Sequence, residues 1–512
     1  MYKITVNPNR KIGNINKNIY GHFTEHAFRN INKGMFDPDS KLSNESGLRN
    51  DVIEALKEVK VPVLRYPGGN FVSNYHWEDG IGPKKDRKKR FEYAWQTVED
   101  NQFGTNDFIQ LCRATGAEPY ICCNMGTGTI EEAMNWVEYC NSDRDTYYAN
   151  LRRKNGFDKP FNVKYWGLGN ECYAPWQMGA AVNAKDYAQK ALEFGKAIRS
   201  VDPNAHLVGC GFESDPAWNV EVLGILKNMI NSISVHHYSV DWGCFDLNDY
   251  YQLMSISEFV NGLVKSVRAA IEGVTGDIYH PIKIALDEWN MFGWANERVD
   301  DNSFYTLENG IVTASILNTL IRNCNIVDMA NYSVFVNING AIQTSQRGIV
   351  LRPQYYVFKL FTEHMAGLLV DSEVVSETFE TNMPIDRRVF KDYFNEAAVE
   401  KGGRLRSEVE TQVKREMKYL DSVSTIDEQN KEISISLINK SLEDDIDCAI
   451  EISNDISIKH AQMHTIWSAG IKDYNSEEIE NIGIESTEIT KIAKKIKVNI
   501  PRHSINVLKL KY

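Results

Sequence analysis

The sequence predicts an α/β fold, a (β/α)8 TIM barrel with an additional all-β sandwich of jelly-roll type. Two observations carry this. Eight short apolar runs alternate with longer amphipathic segments across residues 17–370, the pattern of repeated βα units and a parallel sheet. Beyond that stretch the chain changes to closely spaced strands of strict apolar and polar alternation, as in a sandwich packed beside the barrel.

The eight runs, in order, are IYGHFTEH (19–26), VPVLRYPGG (61–69), EPYICCNMG (118–126), VKYWGLGNE (163–171), HLVGCGF (206–212), SISVHHY (232–238), IKIALDEW (282–289) and IVDMANYSVF (326–335). The segments between them have helical periodicity. In NAKDYAQKALEFGKAIRS, for example, Tyr187, Ala191, Phe194 and Ile198 share one face and the charges lie opposite. The barrel so outlined is longer than the ~250 residues typical of the fold but within its range, given inserted loops. An open doubly wound sheet is the competing architecture. It is disfavoured because no GxGxxG or Walker sequence marks a phosphate-binding first turn.

The β-rich part, residues 371–512, contains EISISLI, with Ile433, Ile435 and Leu437 expected inward, followed by IDCAIEI, KIKVNI and INVLKL. Residues 1–16, in which Tyr2, Ile4 and Val6 alternate with polar residues, precede the barrel and are expected to pair into the same sandwich. Residues 385–420 are dense in Lys, Arg and Glu at helical spacing around a break at Gly402 and Gly403. They read as a solvated helical insertion with a structural rather than a functional use.

Composition narrows the function classes. The 512 residues carry 57 Lys and Arg against 69 Asp and Glu, a formal charge of −12, which argues against a nucleic-acid surface and against an anionic membrane. No apolar run approaches the roughly 18–20 residues of a membrane span. The N-terminus has no basic segment, apolar segment or cleavage site of a secretory signal, so a cytoplasmic location is expected. The nine cysteines include no CxxC pair, and Cys122, Cys123 and Cys210 lie within apolar runs, so neither disulfides nor structural zinc is expected.

In a parallel barrel, catalytic groups project from the carboxyl ends of the strands. Glu171 ends the fourth run and Glu288 ends the seventh, so nearly opposite strands aim two carboxylates at one cleft. Glu25, Arg65, Asn70, Asn124, His236 and Tyr238 also end apolar runs or begin the loops beyond them. Paired carboxylates suit cleavage of a glycosidic bond, where one protonates the leaving oxygen and the other meets an oxocarbenium-like carbon. The two roles need different protonation states. A neighbouring amide or tyrosine can hold the nucleophile ionised, while burial and a second carboxylate raise the acid. Trp77, Trp176, Trp289 and Trp294 are candidates to stack on sugar faces and exclude water.

A single strand-end glutamate is more often an exposed or ion-paired residue, and a single tryptophan is more often packing. The pair on strands four and seven changes that balance. His236 and His237 are adjacent, so alternation turns only one inward, and no HxH or HExxH spacing supports a metal. No cofactor is expected. Arg65 beside the barrel core needs a carboxylate partner, for which Glu25 is the candidate.

At these residues the chain resembles glycoside hydrolase family 51, the intracellular α-L-arabinofuranosidases. The resemblance rests on IYGHFTEH, RYPGGNFVSNYHWEDGIGP, FGTNDF, GAEPYICCNMGTGTIEEAMNWVEYCN, WGLGNE with PWQMG, and LDEWN, and runs nearly the whole length. It implies Glu171 as general acid/base and Glu288 as nucleophile, with Asn170 on the sugar 2-hydroxyl. It also matches Glu25, Arg65 and Asn70 to substrate-binding and site-ordering positions, and His236 and Tyr238 to the sixth-strand pair, the tyrosine near the nucleophile. Trp289 and Gln343 join the expected substrate-binding set.

Three departures stand out. Cys172, Tyr173 and Ala174 replace the family's usual Met-Asp-Gly, VNINGAIQTSQRG leaves Gln343 as a substitute for the usual glutamine, and the charged insertion is long. The function implied is a retaining exo-glycosidase removing terminal non-reducing α-L-arabinofuranosyl groups from oligosaccharides, acting as a homo-oligomer. The alternatives are a β-xylosidase or endo-β-glucanase on the same machinery, or a non-catalytic carbohydrate-binding protein.

Overall fold

A computed structural model describes residues 2–240, 245–276, 282–293, 300–384, 412–453, 456–492 and 495–512. Eight parallel strands close into a barrel in chain order: Gly21–Phe23, Val63–Tyr66, Glu118–Cys122, Tyr165–Leu168, His206–Cys210, Ser232–Tyr238, Lys283–Asn290 and Val327–Tyr332. All eight predicted runs are barrel strands, numbered one to eight below. Their period of two sorts the side chains. Val63, Tyr120, Tyr165, Val208, Ala285 and Met329 cluster as one apolar group of inward residues. Two residues further along four of these strands come Arg65, Cys122, Cys210 and Asp287, on which the site is built. Outward residues such as Leu64, Ile121, Trp166, Leu207, Ile233 and Leu286 join the large core shared with the surrounding helices.

The all-β part is a nine-stranded sheet in the order Glu485–Glu488, His460–Ile466, Ser504–Lys511, Glu432–Asn439, Leu420–Asp427, Leu368–Val375, Tyr2–Asn14, Ile446–Ile452, Lys495–Ile500. Tyr2–Asn14 sits inside it, antiparallel to Leu368–Val375 and parallel to Ile446–Ile452. Ile4, Val6, Ile433, Ile435, Leu437, Leu508 and Leu510 fill the sheet's own core. On the opposite face Ile438, Ile505 and Val507 join the barrel-side core. Polar ties support that docking. Lys440 donates to the Met254 carbonyl and Ser257 Oγ, and Arg322 pairs with Asp421.

The charged stretch differs from its helical expectation where it is described. Gln412–Lys418 is a strand, paired antiparallel with Thr378–Pro384, and Leu420–Asp427 follows as a sheet strand. Val413 and Met417 stand opposite Met383 and Phe379, and these cross-strand apolar pairs override the helical spacing of the charges. Residues 385–411 lie outside the described residues. No helix among the described residues is long and apolar enough to cross a membrane.

Candidate active site

Strand four runs out through Gly169 and Asn170 into Glu171. Gly169 has φ +80°, and a Cβ there would stand 2.6 Å from Cys172 Sγ, so the position requires glycine. Glu171 itself has φ +41°, an uncommon conformation for a side-chain-bearing residue, within a tight turn closed by the Ala174 N–H on its carbonyl. Strand six contributes by alternation: Ser234, His236 and Tyr238 face the site, while His237 turns outward to stack on Phe259 at 5.1 Å.

Strand seven breaks the alternation. Its pairing with strand six steps from Ala285 opposite Ser234 to Glu288 opposite His236, three residues against two, and a similar shift occurs against strand eight. This one-residue bulge brings both Asp287 and Glu288 into the site.

The groups form one connected network. Arg65 Nη1 donates to Glu288 Oε1 at 2.6 Å, Nη2 donates to Asn170 Oδ1 at 2.7 Å, and Nε lies 3.4 Å from Asp287 Oδ2. Tyr238 donates to Glu288 Oε2 at 2.7 Å, so both oxygens of that carboxylate receive a donor. Glu171 Oε1 lies 3.1 Å from His236 Nδ1 and accepts from the Tyr173 hydroxyl at 3.3 Å, while its Oε2 accepts the Trp176 indole N–H at 3.0 Å. His236 Nδ1 is also 3.5 Å from Glu288 Oε2, and its Nε2 is 3.3 Å from Asp287 Oδ1.

Burial works against charge throughout this network, and the partners reverse it. Burial pushes the His236 imidazole down, but the Glu288 charge and the interactions with Asp287 and Glu171 raise it well above its usual value. Burial pushes the Glu171 carboxyl up, and the hydrogen bond and charge of His236 together with the Trp176 indole bring it below its ordinary range. The sequence reading expected this carboxyl to be raised; the histidine between the two glutamates inverts the direction. Asp287 is buried yet held at about 2, chiefly by Arg65 and His236.

Glu25 takes the opposite course. It accepts the Phe71 N–H at 2.8 Å and the Trp95 indole at 3.2 Å, and burial, then the Glu288 charge, pushes it up to about 8. It is therefore neutral near pH 7. The expected Glu25–Arg65 pair is replaced by pairing of Arg65 with Glu288 and Asp287, which the bulge in strand seven brings together in front of the guanidinium.

Among the described residues, Glu171, His236 and Glu288 present ligand atoms within 4.8 Å of one another, the spacing of a metal site. Arg65 already engages Glu288, so a fixed positive charge stands beside the position a further cation would take.

The remaining candidates separate. Asn170 Nδ2 donates to Gln177 Oε1 at 3.2 Å, and Gln177 reaches Ser73 Oγ and the carbonyl of Asn70. Asn70 opens the turn Asn70–Asn74. Asn124 donates to the Tyr75 carbonyl and caps its own loop. Trp289 does not face the site. It is buried outside the barrel against Tyr332 at 5.1 Å and Phe358 at 6.2 Å, because the bulge ends with Glu288 inward and the next residue outward. Trp77 is likewise core, stacked on Trp136 at 5.9 Å. Gln343 uses its amide on Asp300 and Asn302 of the loop after strand seven, which removes it from the network around Glu288. Trp294 lies outside the described residues.

Comparison with known proteins gives the family. Residues 55–255 match the alpha-L-arabinofuranosidase 1 domain and residues 287–504 the alpha-L-arabinofuranosidase C-terminal domain. A probable alpha-L-arabinofuranosidase C of Aspergillus fumigatus is 35% identical, covering 99% of this chain and 97% of its own. The chain belongs to the family 51 α-L-arabinofuranosidases. A crystal structure of alpha-L-arabinofuranosidase from Thermotoga maritima, in an arabinose complex, superposes with a TM-score of 0.89 at 37% identity over the full length of both chains. An intracellular exo-alpha-(1->5)-L-arabinofuranosidase of Acetivibrio thermocellus is 31% identical over 87% of this chain and 86% of its own.

In this family 51 chain, sequence reasoning passed over Asp287, Ser234, Tyr120, Trp95 and Gln177. Asp287 and Glu288 are adjacent in LDEWN, and strict alternation allows only one of them inward. Trp95 and Gln177 occupy loops, where no periodicity applies, and their partners Glu25 and Ser73 are far away in sequence. The quoted PWQMG motif was the one available signal for Gln177.

Proposed function

We propose that the protein is a retaining exo-glycosidase that removes terminal non-reducing α-L-arabinofuranosyl groups from arabinose-containing oligosaccharides by double displacement. The observation that carries the reading is the approach of a Glu171 oxygen and a Glu288 oxygen to within 4.8 Å. Retaining enzymes hold their carboxyl groups about 5–5.5 Å apart, whereas inverting ones need about 6.5–9.5 Å to seat a water between them.

In this reading Glu288, oriented by Arg65 and Tyr238, attacks the anomeric carbon and displaces the leaving oxygen. The proton that oxygen needs comes through Glu171. Glu171 and His236 hold one proton between them, on the histidine side in the free enzyme, and transfer to Glu171 Oε1 is a motion along their 3.1 Å contact. Glu171 then takes a proton from water, whose oxygen attacks the anomeric carbon and releases arabinose and free Glu288. Neutral Glu25 and Asn170 are placed to bind sugar hydroxyls.

Initial rates on aryl α-L-arabinofuranoside, β-D-xylopyranoside and β-D-glucopyranoside, with Glu288→Ala as control, test this reading. Release from the arabinofuranoside alone, lost in the variant, supports it. Release from the xylopyranoside or glucopyranoside turns it to a sister specificity, and sugar binding without turnover turns it to a binding protein. Glu171→Ala is expected to slow poor leaving groups on the order of 10²–10⁴-fold and good ones far less, with azide rescue.

Cytoplasmic residence belongs to the same proposal, supported by the intracellular relative, and makes imported oligosaccharide the substrate. So does self-association, supported by Phe91, Tyr93 and Val98, about half or more exposed on one hairpin; sedimentation velocity reads it directly.

A further inference from the structure

Beneath the two glutamates lies a third carboxylate with no place in the reaction as written. Asp287 is buried, and each of its oxygens accepts one hydrogen bond and lies within ion-pair distance of one cation. Oδ1 accepts from Ser234 Oγ at 2.5 Å and lies 3.3 Å from His236 Nε2, while Oδ2 accepts from the Tyr120 hydroxyl at 2.8 Å and lies 3.4 Å from Arg65 Nε. Four elements of the barrel thus converge on one carboxylate, strands two, three and six meeting strand seven. Each of the two cations it contacts has its other end on the reacting groups. His236 presents Nδ1 to Glu171 and Glu288, and Arg65 presents its terminal nitrogens to Glu288 and Asn170.

We infer that Asp287 is a positioning residue for both glutamates at once: held by Ser234 and Tyr120, its charge stands 3.3 Å from His236 Nε2 and 3.4 Å from Arg65 Nε, and this attraction keeps His236 Nδ1 toward the pair and the Arg65 fork toward Glu288 and Asn170. The inference rests on the assignment of Glu171 as acid/base and Glu288 as nucleophile. The bulge in strand seven has a purpose on this account, because it delivers two adjacent carboxylates to one side of the strand, one for chemistry and one to hold the cations. The orientation matters because an imidazole free to turn by half a revolution would present carbon to Glu171 and break the proton path.

The charge on His236 depends on everything facing it. Those groups are Glu171 beyond strand four, Cys210 at the end of strand five and Glu213 beyond it, Asp287 and Glu288 from strand seven, and Ser234 from its own strand. The carboxylates favour the charged ring, so loss of one shifts the balance against it.

Asp287→Asn in the full-length protein tests the inference, with nitrogen-15 spectra of labelled histidine, His236 being assigned by its loss in His236→Gln. The expected result is that His236, charged near pH 7 in the parent, becomes neutral there. Turnover of an oligosaccharide should fall on the order of 100-fold while KM changes little. A role in packing alone would lower stability and leave both the spectrum and the kcat of the folded fraction unchanged, and that result overturns the inference. If Asp287→Asn does not fold, Tyr120→Phe keeps the charge and frees Asp287 Oδ2 while leaving the Ser234 contact to His236 in place. It should leave His236 charged and lower kcat, and an unchanged kcat overturns the inference. Glu171→Gln run beside these separates the two failures. If it slows good and poor leaving groups alike, the acid/base assignment fails; if it separates them and Asp287→Asn changes nothing, only the role of Asp287 fails.

Discussion

Glu25 shows how one side chain's surroundings set its chemistry. Burial and the neighbouring Glu288 push its carboxyl up to about 8, against an ordinary 4.5, so it is protonated in the fold when the unfolded chain has released its proton. Its contribution to stability is therefore fully present below pH 4.5 and is lost as pH rises through about 8. Glu25→Gln mimics the neutral form, so its urea midpoint is expected to match the parent near pH 5 and exceed it at pH 8 and above. Trp289 makes the complementary point. It is buried against Tyr332 and Phe358 rather than facing the cleft. Trp289→Ala should cost about 3–5 kcal/mol in thermal unfolding, with KM of the folded enzyme unchanged.

The loop after strand two illustrates what an element contributes. RYPGGN brings Gly68 against Glu25 and Gly69 against Glu288: a Cβ on Gly69 would stand 2.6 Å from Glu288 Oε1. The space beside the carboxylate is what a side chain at Gly69 would take. Gly69→Ala is expected to fold with a melting temperature near the parent's and to lose most of its kcat, measured on the aryl arabinofuranoside. Strand seven shows the limit of reading elements from pattern. Its apolar run located the strand correctly, but its bulge changed which side chains face the site.

For the whole molecule, the joint between barrel and sheet is where pH acts on stability. His364 ends the helix Pro353–His364 and stacks at 4.3 Å on His464 of the strand His460–Ile466. Burial, then the neighbouring His464, lowers His364 to about 4 from an ordinary 6.5. The unfolded chain therefore takes up a proton below pH 6.5 that the folded joint refuses until about pH 4, so stability falls as pH drops across that window and then levels. His364→Phe keeps a ring in place without the titration. Scanning calorimetry should show a smaller drop in melting temperature between pH 7 and pH 5 than in the parent.

The sequence by itself determined the eight barrel strands, the presence of an all-β domain and the placement of Glu171 and Glu288 at strand ends, because each follows from local periodicity and from where a βα unit terminates. Sequence motifs also pointed to the family, since a long ordered stretch such as RYPGGNFVSNYHWEDG is far more specific than a short motif. Tertiary structure alone decided the partner of Arg65, the inward turn of Asp287, the outward turn of Trp289 and the strand at Gln412–Lys418. Each of these depends on contacts between residues far apart in the chain or on a bulge that shifts the register, and neither leaves a trace in the spacing of side chains along one strand.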